Sequence, residues 1–263
     1  MNYTLEALIA SLFTWSITAV GASVVFLFKK TNKNVMDAML GFAAGVMIAS
    51  SFWSLLSPSL EMSEEIGMCP WLTALFGFIG GGIMIYLSDK AFVRFENKIF
   101  RNTQHNNRDK LKRCLMVIFS ITLHNIPEGL AIGAAFGFLA YDPSDTSHAN
   151  AFLLALGIGI QNFPEGTAVS MPLRREGLSR KKSFMLGQLS GIVEPISAVI
   201  GALLAVKIRL LLPFLLAFAA GSMIYVVVEE LIPESQTNSN KDKMALFTLV
   251  GFSIMMVFDT ALG

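Results

Sequence analysis

The sequence predicts an all-α membrane protein with eight transmembrane helices, built as an inverted 3+2+3 repeat. Three observations carry this. More than half of the 263 residues are hydrophobic and only 15% are charged, against about 25% charged in soluble domains. The apolar residues gather into stretches of the ~20-residue length that crosses a bilayer core. Finally, FAAGVMI at 42–48 returns as FAAGSMI at 218–224, and ITAV at 17–20 is echoed by ISAV at 196–199. The first pair falls in the second and seventh stretches, which are five apart and must cross in opposite directions. Inverted repeats of this kind mark transporters with a site near the membrane midplane. The alternating ten-residue strands of a β-barrel are absent from the pattern.

The spans read in order as 5–28, 36–57, 71–93, 114–140, 150–172, 185–206, 211–232 and 244–262, forming a single domain over 1–263 with a cytoplasmic loop at 94–113. In the first, Glu6 precedes the apolar run and Lys29 and Lys30 follow it, the reverse of a cleavable signal's charge order. The GFIGGG run at 77–82 in the third reads as helix packing. The fourth is bounded by basic residues up to Arg113 and by the YDPSD turn at 141–145. Lys207, Arg209 and Pro213 divide the sixth from the seventh.

Of the 20 Lys and Arg residues, all but Lys207 and Arg209 lie at alternate junctions. The positive-inside rule puts that set in the cytoplasm and both termini outside, extracellular or periplasmic, for a multi-pass protein of the cell membrane. The basic segment around 90–113 then reads as an orientation signal against lipid headgroups, with His105 a solvated loop residue and no nucleic-acid role. Cys69 and Cys114 fall on opposite sides and should not pair.

Five glutamates lie well inside spans: Glu128, Glu165, Glu194, Glu229 and Glu230. Each costs ~2.5–3.5 kcal/mol at the bilayer centre, and no Lys or Arg in those spans neutralises them. Either a cation supplies the positive charge or the acids are protonated. HNIPEG at 124–129 and QNFPEG at 161–166 repeat one plan on two antiparallel helices. His124 and Glu128 are i and i+4, and Asn125 and Glu128 are i and i+3, so they share a face. Gln161, Asn162 and Glu165 repeat the arrangement. If the two faces meet, one cation sees an imidazole, an amide oxygen and two carboxylates. A second sees two amide oxygens and the same carboxylates, with whatever Glu194 adds. One imidazole among oxygens suits zinc and similar divalents, and an all-oxygen set suits harder ions. Pro127 and Pro164 each free a carbonyl at membrane depth, Pro195 after Glu194 suggests a third kinked acidic helix, and Gly129 and Gly166 admit a neighbouring backbone. Met47 is a candidate thioether ligand.

These residues resemble the ZIP family of divalent metal transporters. HNIPEG, QNFPEG, GQLSGIVEP in the sixth span, VEELIPE at the end of the seventh and LGFAAGVMIASSF in the second carry the likeness, which covers essentially the whole chain. Gln161 and the short chain look most like the GufA-like prokaryotic branch. The resemblance implies a first metal site of His124, Glu128, Gln161 and Glu165 with Met47, and a second of Asn125, Asn162 and Glu194 with the shared glutamates. It also implies a metal exit pathway through Glu229, Glu230 and Glu234, and spans 1, 4, 5 and 6 sliding against 2, 3, 7 and 8. Many members have histidine at the place of Gln161 and some have aspartate at that of Asn162, and an uncharged Asn162 weakens the second cation.

The expected function is transport of divalent cations toward the cytoplasm, zinc first, with iron, manganese and cadmium as further substrates. The metal is cargo rather than cofactor, and the protein is not an enzyme. Its expected partners are the metal ions and the bilayer, with a homodimer left open. A divalent exporter or metal channel of the same architecture is the alternative. An intramembrane zinc hydrolase is more remote, because HExxH is absent and only one histidine lies in a span.

Overall fold

A computed structural model describes residues 2–27, 33–99, 105–237 and 241–261. These form eight helical rods. They are α1 (Tyr3–Leu27), α2 (Lys33–Glu65), α3 (Pro70–Ile99), α4 (His105–Phe138), α5 (Asp145–Arg175), α6 (Arg180–Lys207), α7 (Arg209–Ser235) and α8 (Lys241–Ala261). No strand occurs among the described residues.

Among the described residues, six of the rods, all but α4 and α5, are long and apolar enough to cross a membrane. The exceptions have 34 and 31 residues, about 50 and 46 Å at 1.5 Å per residue, so length does not limit them. In α5 the polar QNFPEG motif lowers the average, and in α4 many side chains lie outside the described residues. Large apolar side chains are exposed along α1, α3, α6 and α8, among them Phe13, Phe76, Ile196 and Val250. This gives the bundle the greasy perimeter of a multi-pass membrane protein. The main core gathers Ala44, Met47, Ile132, Ile158, Ala202 and Met223 from five helices inside that ring.

Helices extend beyond the apolar stretches. Most of the loop expected at 94–113 is helical, since α3 runs to Ile99 and α4 starts at His105. Lys, Arg, Glu and Gln are good helix formers, whereas hydropathy registers only the apolar part of a rod. Turns at two other ends follow from glycine. Gly67 and Gly177 have φ of 73° and 101°. In each the glycine N–H returns to the carbonyl three residues back and the next N–H to the carbonyl five back, the Schellman pattern that closes a helix.

The rods pack as close pairs: α1 with α5, α4 with α6, α2 with α8, and α3 with α7. Glycine sets the approach. A Cβ at Gly45 would lie 1.9 Å from the Thr248 carbonyl oxygen, and one at Gly221 would lie 1.9 Å from that of Phe78. Gly77 and Gly81 of the GFIGGG run meet α7 in the same way, which fulfils the packing reading of that run. In α2 a π-helical stretch, Ser51–Leu56, starts nine residues after Phe42; in α7 another, Val227–Leu231, starts nine residues after Phe218. Pro58 and Pro233 restart regular helix after each.

In α6 the irregularity expected around Pro195 takes the form of a break, across Gly191, whose carbonyl Pro195 cannot bond. The helix breaks at Ser190–Ile192 and restarts at Val193. Pro195 stands in the first turn of the new segment, where a missing N–H costs little. The break also places Glu194 in the first turn of that segment, where the helix N-terminus carries a partial positive charge.

A candidate metal site between the central helices

α4, α5 and the restart of α6 bring the motif residues into the middle of the bundle. Asn125, Glu128, Gln161, Asn162 and Glu194 have no exposed surface, and Glu165 is 2% exposed. The close approach comes from the motif glycines. A Cβ at Gly129 would stand 2.2 Å from the Glu194 carbonyl oxygen, and one at Gly166 would stand 2.1 Å from that of Thr18. The Gly of each Pro-Glu-Gly therefore seats a neighbouring helix beside its own glutamate.

The amides bridge the helices. The Gln161 side chain donates through Nε2 to Glu128 Oε1, tying α5 to α4. Asn162 Nδ2 donates to Glu194 Oε2 at 2.9 Å and to the Thr14 carbonyl at 3.3 Å, tying α5 to α6 and α1. The Thr14 hydroxyl donates to the other Glu194 oxygen. Asn125 turns Nδ2 back onto the Ile121 carbonyl of its own helix at 2.7 Å. Every amide thus spends its donor end on protein. The opposite ends are left over: Asn125 Oδ1, Gln161 Oε1, Asn162 Oδ1 and Glu128 Oε2 are buried with no hydrogen-bond partner among the described residues. A buried oxygen without a donor is costly, and oxygens are what a divalent cation takes as ligands.

Electrostatics point the same way. Glu128 feels the repulsion of both Glu165 and Glu194. Among the described residues, however, no three His, Cys, Asp or Glu side chains are gathered tightly enough to hold a metal. Two of the three carboxylates are engaged with amides instead. The His124 side chain lies outside the described residues, although its backbone belongs to α4. Met47 is wholly buried in the main apolar core. The proposed exit residues lie on the second π-helical stretch and just beyond it, where Glu230 is half-buried and Glu229 and Glu234 are exposed.

Thr14 was not singled out from the sequence. Its signal was a small-polar stripe on α1, where Ser11, Thr14 and Thr18 recur at helical spacing and are all buried.

The family model described as ZIP Zinc transporter matches residues 4–115 and 111–259. The chain belongs to the ZIP zinc transporter family. It is 37% identical to Zinc transporter ZIP11 of Xenopus tropicalis, covering 98% of both chains. With Zinc transporter ZIPB of Bordetella bronchiseptica it shares 34% identity over 95% of this chain and 79% of that protein. With Zinc transporter GufA of Myxococcus xanthus the identity is 32%, over 97% and 98%. The likeness carried by the two Pro-Glu-Gly motifs is therefore one of family, and GufA is among the relatives of this ZIP chain.

Proposed function

We propose that this ZIP family member carries divalent cations, zinc first, across a cell membrane toward the cytoplasm through the cluster between α4 and α5. The observation that carries the reading is the three buried amide oxygens of Asn125, Gln161 and Asn162 and the Glu128 Oε2 without donors among the described residues, enclosed by helices and away from the lipid perimeter. A cation there offsets the mutual repulsion of Glu128, Glu165 and Glu194. Relatives named zinc transporters over nearly the whole chain support the choice of cargo and favour transport over catalysis.

In this reading His124, Glu128, Gln161 and Glu165, with Met47 as a further donor, hold the first ion. Asn125, Asn162, Glu194 and the shared glutamates hold the second, giving a binuclear site. Glu229, Glu230 and Glu234 pass metal to the cytoplasm. All eight rods span, and both termini face outside, because the basic residues line alternate ends. Iron, manganese and cadmium share the coordination chemistry and are candidate further cargo. A homodimer would bury part of the exposed apolar face of α3 or α8, and cross-linking in membranes tests it.

The inverted repeat gives the transport mechanism. Exchanging α1, α2, α3 for α6, α7, α8, and α4 for α5, carries each helix pair onto another: α1–α5 onto α6–α4, and α2–α8 onto α7–α3. The matched π-helical stretches and the matched Gly45 and Gly221 contacts support the same relation. Two related halves give two related conformations, open to opposite sides, as alternating access requires. No pump is needed for uptake. A dication moving through ~100 mV, inside negative, gains about 4.6 kcal/mol, a ratio of roughly 10³.

⁶⁵Zn²⁺ uptake into proteoliposomes of known orientation tests the reading. Abolition by both His124→Ala and Glu165→Ala, in folded protein, is the expected result. Uptake that survives both, or net flux only outward, sinks it.

A further inference from the structure

A second group of metal-ligand chemistry lies at the opposite end of α5 from its cytoplasmic turn. His148 is in the first turn of α5, about 20 Å along the helix from Gln161 at 1.5 Å per residue. Its Nδ1 is 3.0 Å from the Ser144 carbonyl. A carbonyl can only accept, so Nδ1 carries the hydrogen and Nε2 of the neutral ring is a bare lone pair. That Nε2 is shielded from solvent and has no hydrogen-bond partner among the described residues. Facing it at 3.9 Å is Oε2 of Glu6, from the first turn of α1.

The separation is too long for a hydrogen bond. A divalent metal bonds imidazole nitrogen and carboxylate oxygen at about 2.0–2.2 Å each, which in tetrahedral geometry sets the two atoms about 3.4 Å apart, so a closure of about 0.5 Å seats an ion between them. An Nδ1–H given to a backbone carbonyl is the usual support for an imidazole that ligates through Nε2. Asp142 adds negative charge nearby: its carboxylate lies within electrostatic reach of His148 and takes hydrogen bonds from Ser144 and Ser147.

We propose that Glu6 and His148 form a peripheral divalent-cation site joining α1 to α5, separate from the central cluster. Two protein ligands leave the other coordination positions to water, so the ion is weakly held and exchanges. On the orientation proposed above, the site faces outside; its chemistry does not depend on that.

The chain has three histidines, His105, His124 and His148, so ¹⁵N-histidine labelling of the full chain in nanodiscs resolves each ring. Zn²⁺ is titrated at pH 7.5 into wild type and into Glu128→Gln/Glu165→Gln protein, whose central site is disabled. The Nε2 resonance of His148 moves in both, at higher metal than His124 needs in wild type, and stays fixed in Glu6→Gln. A His148 signal that ignores zinc overturns the proposal. So does one that moves equally in Glu6→Gln, because the imidazole then binds without its partner. Failure of the transport reading shows separately, in uptake and in His124.

Discussion

Glu194 holds its place through two donors from two other helices, the Thr14 hydroxyl and the Asn162 amide. A typical intramolecular hydrogen bond contributes about 0.5–1.5 kcal/mol. Thr14→Val should therefore destabilise the metal-free protein by about 1 kcal/mol, seen as a lower thermal midpoint, and reduce zinc uptake, whereas Thr14→Ser should keep most of both. An unchanged midpoint in Thr14→Val would remove Thr14 from the site. Asn162→Asp adds a carboxylate beside Glu194. It should tighten binding of a second ion, seen as a rise in bound zinc per chain at equilibrium dialysis. Outside the membrane, the hydroxyl of Ser147, then the groups of Ser144, hold the Asp142 carboxyl below the usual carboxylate range. Its contribution to stability is complete above the unfolded value of about 3.9. It is lost as pH falls through the lower folded value. Amide protection in the first turn of α5, measured against intrinsic exchange, should fall across that acid window in wild type and lack the step in Asp142→Asn. The buried acids and amides of the candidate site were legible residue by residue because lipid makes each one an anomaly. Thr14 was not, because a buried threonine in a span usually satisfies itself on its own helix, as Thr122 does with Ile118.

Helix number and order were legible from the length of apolar runs, since a bilayer dictates that length. Helix ends were not, because charged helix formers continue α3 and α4 past the hydrocarbon without a hydropathy signal. Nor was the break before Glu194. Glu-Pro inside an apolar run suits a kink as well as a restart, and the choice fell to packing, with Gly191 lying under Trp15 and Thr18 of α1. The glycine contacts between paired helices give a sharper test. Gly45→Val and Gly221→Val each force side-chain atoms into a backbone carbonyl of the partner rod. Overpacking of this sort costs about 1–3 kcal/mol or more. Both should lower the thermal midpoint comparably, as matched positions in a repeat would, while Gly80→Ala on the same face of α3 should be mild, its nearest neighbour being 3.8 Å away. A large loss at one glycine and none at the other would speak against equivalent halves.

At the scale of the molecule, close pairing divides the bundle. α1, α4, α5 and α6 hold one another, as do α2, α3, α7 and α8. The two sets meet chiefly where α2 lies on α5 and α4 lies on α7. Along the first of these seams is a cavity of about 750 Å³, lined by Ala38, Met39 and Phe42 of α2, Ile160, Phe163 and Pro164 of α5, and Met244 and Phe247 of α8. Its walls are largely apolar, so α5 meets few directional bonds there and can shift by repacking. The motif-bearing stretch of α5 borders that space, so a shift at the seam would carry the oxygens of the candidate site with it. If transport needs the two sets to slide, a bridge across the seam must stop it, and a bridge within one set must not. Phe42→Cys with Ile160→Cys supplies the first, and Trp53→Cys with Phe252→Cys supplies the second. The latter pair joins two rods of one set, whose rings stand 5.4 Å apart. Both are made with Cys69 and Cys114 replaced by Ser and closed with a reducible bifunctional thiol reagent. The seam bridge should abolish ⁶⁵Zn²⁺ uptake until it is reduced, while zinc binding at equilibrium persists. The scaffold bridge should leave uptake near its starting rate. Uptake through a closed seam bridge would mean the ion passes a static pore, and the channel alternative would then displace the carrier.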